Sequence, residues 1–232
     1  MTTFILNTGA TIPALGFGTW QDKDDQENAV AEALKAGVRH IDTARVYGTE
    51  PMVGAAISKS GISRSELFIT TKLWNSGHAP EDVEPALDAS LKDLGMDYVD
   101  LFLMHFPAHK TVSYVDTWKA MEKLIATRKT RAIGVSNFSR TEVEEDPTLI
   151  EIGKNYNRTG AQVALAWGVT LGHSVLPKSK TPSRIKENLE GDFKLEFVDL
   201  EKIRSIDKKL RFGDMSKKFG YNLYVGLDGK QE

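Results

Sequence analysis

An α/β fold, in which parallel strands form a barrel with helices outside, is what this 232-residue sequence predicts. Two observations predict it. Short apolar runs alternate with helix-length segments and glycine stops every ~30 residues, the sequence form of βα units with right-handed crossovers. Five of those runs also end in a polar residue of catalytic type. His40 to Ala44 contains Asp42, with Tyr47 just beyond; Leu67 to Thr71 ends in Lys72, and Val99 to Met104 in His105. Ala132 to Val135 ends in Ser136-Asn137, and Ser174 to Leu176 in Pro177-Lys178-Ser179. The carboxyl ends of barrel strands share one rim, where active sites are built. A chain that places its reactive groups there describes an enzyme.

The elements follow in order. Phe4 to Gly9 and Thr11 to Leu15 read as a hairpin turned by Asn-Thr-Gly-Ala. Gly16 to Trp20 is the first barrel strand and Glu27 to Ala36 the first helix, stopped by Gly37. Strand His40–Ala44 leads to a helix Pro51–Ser58, followed by Gly61. Leu67–Thr71 leads through Ala79-Pro80 to a helix ending at Leu94, before Gly95. Tyr98–Met104 leads to a helix Tyr114–Thr127 whose Val115, Trp118, Met121, Leu124 and Ile125 share one face. Arg131–Val135 is the fifth strand. After Phe138 the rhythm breaks: helices are predicted over Thr148–Tyr156, with Asp146 as N-cap and Pro147 at N1, and over Ala161–Gly168. A sixth strand returns at Val175-Leu176, before a helix Pro182–Leu189 capped by Thr181 and another around Leu200–Lys209. A closed barrel of this kind needs eight strands, and six are found.

Composition narrows the function. With 41% apolar and 27% charged residues and a net charge of −2, the chain has no electrostatic pull toward nucleic acid or an anionic membrane. The absence of cysteine removes disulfides, thiolate metal sites and cysteine nucleophiles, and fits a reducing compartment. No leader-like segment opens the sequence and no run approaches the ~20 apolar residues of a membrane span, so a cytoplasmic protein is expected. His40, His78, His109 and His173 lack metal-ligand spacing, so no metal is expected.

Six segments in order resemble the aldo-keto reductases, in the fungal or yeast-type, xylose reductase-like branch. They are Leu15-Gly16-Phe17-Gly18-Thr19-Trp20, Ile41-Asp42-Thr43-Ala44 with Tyr47 and Glu50, Thr70-Thr71-Lys72-Leu73-Trp74, Leu103-Met104-His105-Phe106-Pro107, Gly134-Val135-Ser136-Asn137-Phe138, and Pro177-Lys178-Ser179 with Arg184, Glu187 and Asn188. The resemblance implies a TIM (β/α)8 barrel of that type as a single domain over residues 1–232. Residues 1–15 would be a hairpin cap and residues 210–232 a C-terminal substrate tail. It also identifies a gap: two βα units, about sixty residues, are missing after Phe138, and the loop after Pro107 is short.

The implied activity is reduction of an aldehyde or ketone by hydride from NADPH, on a small-molecule carbonyl substrate, by a monomer or weak homodimer. As negative charge grows on the carbonyl oxygen, a positioned acid must neutralise it. Tyr47 is the expected acid, with Lys72 lowering its pKa, Asp42 keeping Lys72 charged, and His105 orienting the substrate. Trp20, Trp74 and Phe106 would wall the substrate site. Thr19, Trp20, Asp42, Ser136 and Asn137 would meet the cofactor near its nicotinamide. Lys178, Ser179 and Arg184 suit its 2′-phosphate, with Glu187 and Asn188 reaching adenine.

Each residue has an ordinary alternative. Asp42 could cap a turn, Lys72 could be a solvated loop lysine, Tyr47 a half-buried aromatic and His105 a satisfied structural histidine. Trp118 and Trp167 read as core. No Gly-x-Gly-x-x-Gly opens a helix, so a two-lobed Rossmann site is not expected. Two other functions stand beside reduction. One is a degenerate barrel that senses nucleotide or binds a partner through unpaired edges. The other is an aldolase with Lys72 as Schiff-base lysine, against which Tyr47 and the Lys178 cluster argue.

Overall fold

The computed structural model describes residues 1–20, 24–106, 112–136 and 147–204. An antiparallel hairpin, β1 (Thr3–Ile5) and β2 (Thr11–Pro13), precedes the barrel. Five parallel strands then lie side by side in sequence order: β3 (Phe17–Gly18), β4 (His40–Asp42), β5 (Phe68–Leu73), β6 (Leu101–Met104) and β7 (Ile133–Val135). Helices α1 (Gln26–Lys35), α2 (Glu50–Lys59), α3 (Val83–Leu94) and α4 (Tyr114–Ala126) fall between them. The remaining helices are α5 (Pro147–Tyr156), α6 (Gly160–Thr170), α7 (Pro182–Leu189) and α8 (Phe197–Arg204).

The expected sixth strand is present only as a bridge. Val175 pairs in parallel with Leu15; its N–H donates to the Ala14 carbonyl, and the N–H groups of Gly16 and Gly18 donate to the Val175 and Pro177 carbonyls. The ring therefore runs from the Val175 segment through β3 to β7. Among the described residues nothing joins β7 back to Val175, the stretch in which the βα rhythm of the sequence breaks.

Several boundaries differ from expectation for identifiable reasons. Helix α3 begins at Val83, not near Ala79-Pro80. Starting there keeps Pro85 within the first turn, where its missing N–H is no loss. Helix α4 buries Thr117, Ala120, Met121 and Leu124, while Val115 and Ile125 are exposed. The apolar stripe is thus turned part of a turn from the one expected. Thr181 is the N-cap of α7 without a side-chain bond, and it is Ser179 Oγ that accepts from the Thr181 N–H. Helix α8 starts at Phe197; Lys209, Asp146, Asn137, Phe138 and the tail 210–232 lie outside the described residues.

The main core lies between sheet and helices, from Phe17, Ile41, Ile69 and Phe102 to Val53, Leu87, Leu94 and Met121. A second cluster joins α5, α6 and α8 through Leu149, Ile152, Val163 and Ile203, with Trp167 packed against it. Trp118 packs partly buried on the main core. Among the described residues no helix is long and apolar enough to cross a membrane, and no group of histidine, aspartate and glutamate is placed to hold a metal.

Candidate active site

The parallel register aligns the strand ends. Thr43 N–H donates to the Thr70 carbonyl, and His105 N–H to the Leu73 carbonyl, so Asp42, Lys72 and His105 reach one rim from adjacent strands. Tyr47 arrives from a short 3₁₀ turn, Arg45–Tyr47, that Gly48 closes at φ 70°, a left-handed conformation suited to glycine.

Lys72 is the centre. Its Nζ donates to Asp42 Oδ1 at 2.6 Å, to the Thr43 carbonyl at 2.9 Å and to Tyr47 Oη at 3.5 Å. Lys72 and Asp42 are both buried. Burial works against the ammonium, but Asp42 and Tyr47 outweigh it and leave the Lys72 pKa above normal. Burial likewise pushes Asp42 up, against the pull of Lys72. The first shift favours the ion pair and the second opposes it. Geometry decides for the ion pair, because protonating Asp42 would leave a buried ammonium without its counter-charge. Thr19 steadies Asp42: its N–H and its Oγ1 both donate to the Asp42 carbonyl at 3.0 Å.

The Tyr47 pKa departs from expectation in sign. Burial raises it, and the pull of Lys72 does not make up the difference. The phenol therefore keeps its proton throughout the neutral range.

His105 sits in an aromatic box. Its ring meets Tyr47 edge-on at 5.7 Å and Trp74 at 5.2 Å, and stacks on Phe106 at 5.1 Å. Burial, then Lys72, lowers its pKa to about 3, so the imidazole is neutral near pH 7. Trp74 and Phe106 pack against this ring and each other, whereas Trp20 is 56% exposed and shares no ring contact with them among the described residues.

The expected cofactor residues are scattered more widely. Ser136 follows β7, its N–H donating to the Met104 carbonyl, and Asn137 lies outside the described residues. Lys178 and Arg184 are exposed at the entry and first turns of α7. Glu187 already accepts from Thr159 Oγ1 at 2.8 Å, which ties α7 to the N-cap of α6, and Asn188 is half-buried on the same helix. A groove of about 670 Å³ lies at the opposite end of the barrel beneath the hairpin turn, away from all of these groups.

His40, buried inside the barrel beside Thr70, is also lowered to about 3, by burial first. An unfolded chain takes up a proton on each histidine as pH falls through about 6.5, and the folded chain does so only near 3. Stability is therefore full above about pH 6.5. It drains toward acid by up to about 1.4 kcal/mol per pH unit per histidine. Thermal melts from neutral to mildly acid pH check this. A falling melting temperature is expected, with a shallower fall in His40→Asn; a flat profile contradicts it.

The model of the aldo/keto reductase family matches residues 14–146. Glycerol 2-dehydrogenase (NADP(+)) of Saccharomyces cerevisiae is 36% identical over 88% of this chain and 90% of its own length. That alignment spans 284 positions against 232 residues here, so the yeast protein carries internal residues with no counterpart in this chain. Among solved structures, an aldo/keto reductase from Brucella melitensis matches with a TM-score of 0.83 at 40% identity, over 89% of this chain and 99% of that one. An aldo-keto reductase from Bombyx mori, solved in complex with NADP, matches at 0.88 and 30% identity, over 96% and 98%.

Proposed function

We propose, for a chain that belongs to the aldo/keto reductase family of oxidoreductases, the NADPH-dependent reduction of aldehydes or ketones to alcohols with Tyr47 as proton donor. One observation carries the reading: the unbroken hydrogen-bonded chain Asp42–Lys72–Tyr47 beside a neutral His105.

NADPH, when bound, supplies the hydride to the carbonyl carbon. Tyr47 Oη gives its proton to the carbonyl oxygen as negative charge builds there, and the Lys72 ammonium stabilises the phenolate left behind. Asp42 holds that ammonium charged and aimed. His105, neutral, donates one ring N–H to the substrate oxygen and fixes its approach. Trp74 and Phe106 exclude water, which strengthens each of these interactions. A solvent proton then restores Tyr47.

The residues present fit the cofactor by their chemistry. Lys178, Ser179 and Arg184 offer two cations and a hydroxyl around the N-terminal end of α7. The yeast relative named for NADP(+) and the silkworm complex with NADP support the same choice. Trp20, Ser136 and Asn137 complete the proposed nicotinamide end, with Glu187 and Asn188 toward adenine.

Fluorescence titration tests the reading. Saturable NADPH binding at micromolar concentration is expected, weakened about tenfold or more in Arg184→Ala through loss of a charge-assisted contact. No saturable binding would remove the enzyme. Binding without turnover across a panel of aldehydes would favour the second reading, a nucleotide-sensing barrel. That reading is motivated by a β7 edge left unpaired among the described residues.

A further inference from the structure

Glu50 opens α2, where a carboxylate suits the helix dipole and would ordinarily point into water. Here it is 1% exposed, and Oε1 accepts from Thr71 Oγ1 at 2.6 Å. Side chains alternate along a strand. On β5, Thr70 and Lys72 therefore face His40 and Asp42 inside the barrel, while Thr71 faces the helices. Glu50 Oε2 lies 3.9 Å from Arg45 Nη1, which also pairs with Asp93 of α3 at 3.0 Å. Arg45 begins the 3₁₀ turn that Tyr47 ends. One buried carboxylate thus hydrogen-bonds the strand that carries Lys72 through Thr71, and its Oε2, without a hydrogen bond of its own, stands in ion-pair range of the guanidinium that begins the turn carrying Tyr47.

We propose that Glu50 is a positioning residue that sets the separation of Tyr47 from Lys72. This rests on the reductase reading above. At 3.5 Å the Lys72–Tyr47 contact is at the outer limit of a hydrogen bond, so a small displacement of turn against strand makes or breaks it. A structural carboxylate would stabilise the α2 end and nothing more. A positioning one changes how strongly the ammonium acts on the phenol.

Two substitutions separate these roles. Glu50→Gln keeps an acceptor for Thr71 and removes the charge facing Arg45; Thr71→Val removes the donor. Each is expected to lower kcat about 10- to 100-fold, as sub-ångström misplacement of a reacting group does, with NADPH Kd unchanged. In a Tyr47→Phe background, Glu50→Gln should then have no further effect on the residual rate. An undiminished effect there, or wild-type kcat in both single variants, overturns the proposal. A readout without turnover is the ultraviolet titration of Tyr47, taken as the difference between proteins with Tyr and Phe at that position. Glu50→Gln should move the phenol upward as the ammonium draws away. A downward shift, which loss of a negative charge alone produces, overturns the proposal. Full turnover in Tyr47→Phe alone would instead overturn the reductase reading itself, and this assignment with it.

Discussion

Lys72→Met is expected to cost about 3–5 kcal/mol of stability and to abolish turnover. Asp42 and Lys72 are 6% and 5% exposed and 2.6 Å apart, so deleting the ammonium strands a buried carboxylate. Its neighbours cannot compensate: Oδ2 of Asp42 has no hydrogen-bond partner, and Thr19 bonds the backbone carbonyl, not the carboxylate. Asp42 should answer by holding a proton, which makes the variant more stable at mildly acid than at neutral pH, opposite in sign to the histidine effect. The double variant Asp42→Asn, Lys72→Met should recover most of the lost melting temperature, because no lone charge remains buried, yet stay inactive. Recovery of activity in the double variant would contradict the role given to Lys72. Equal stability of Lys72→Met and wild type would contradict the buried ion pair.

Tyr47→Phe is expected to do the reverse, leaving the fold intact and stopping the chemistry. Tyr47 is half-buried, and the lost hydroxyl takes away the longest of three Lys72 contacts while Asp42 and the Thr43 carbonyl keep theirs. Melting should move little. A general acid contributes about 10²- to 10⁴-fold, so kcat should drop by that factor at unchanged NADPH affinity. His105 cannot take over. With its pKa near 3 it is neutral at neutral pH, and the role proposed for it is to donate a hydrogen bond.

Much of this was legible in the chain. Asp42, Lys72 and His105 sit at the ends of apolar runs, and parallel register brings such ends together without further information. Glycine stops placed α1, α2 and α3 because a left-handed residue ends a helix whatever surrounds it; Gly37, Gly61 and Gly95 all have positive φ. What sequence could not carry was burial. The Tyr47 pKa was expected to fall because a nearby ammonium is readable from motif order, but the depth of the pocket is not, and depth wins. Trp20 was expected in the wall from its type and position, and only the fold shows it exposed. Val115 and Ile125 fit the apolar period of α4, yet the side packed on the barrel is set by the neighbouring helix and sheet.

Glu50 and Thr71 illustrate a different limit. Both belong to matched segments, but neither sits at the rim, and their bond spans the gap between a helix and the outer face of the sheet. Nothing in the spacing of residues 50 and 71 announces that meeting. The missing strands were the opposite case. An interrupted rhythm after Phe138 is plain in one dimension, and among the described residues the sheet ends at β7 while Val175 bridges to Leu15.

The most direct test of the account is transfer of label. With NADPH deuterated at its transferable position and an aldehyde in excess, the wild-type chain should yield alcohol carrying deuterium on the former carbonyl carbon, and Tyr47→Phe should yield almost none. Absence of labelled alcohol from the wild-type chain at saturating cofactor, or equal labelling by both proteins, would contradict it.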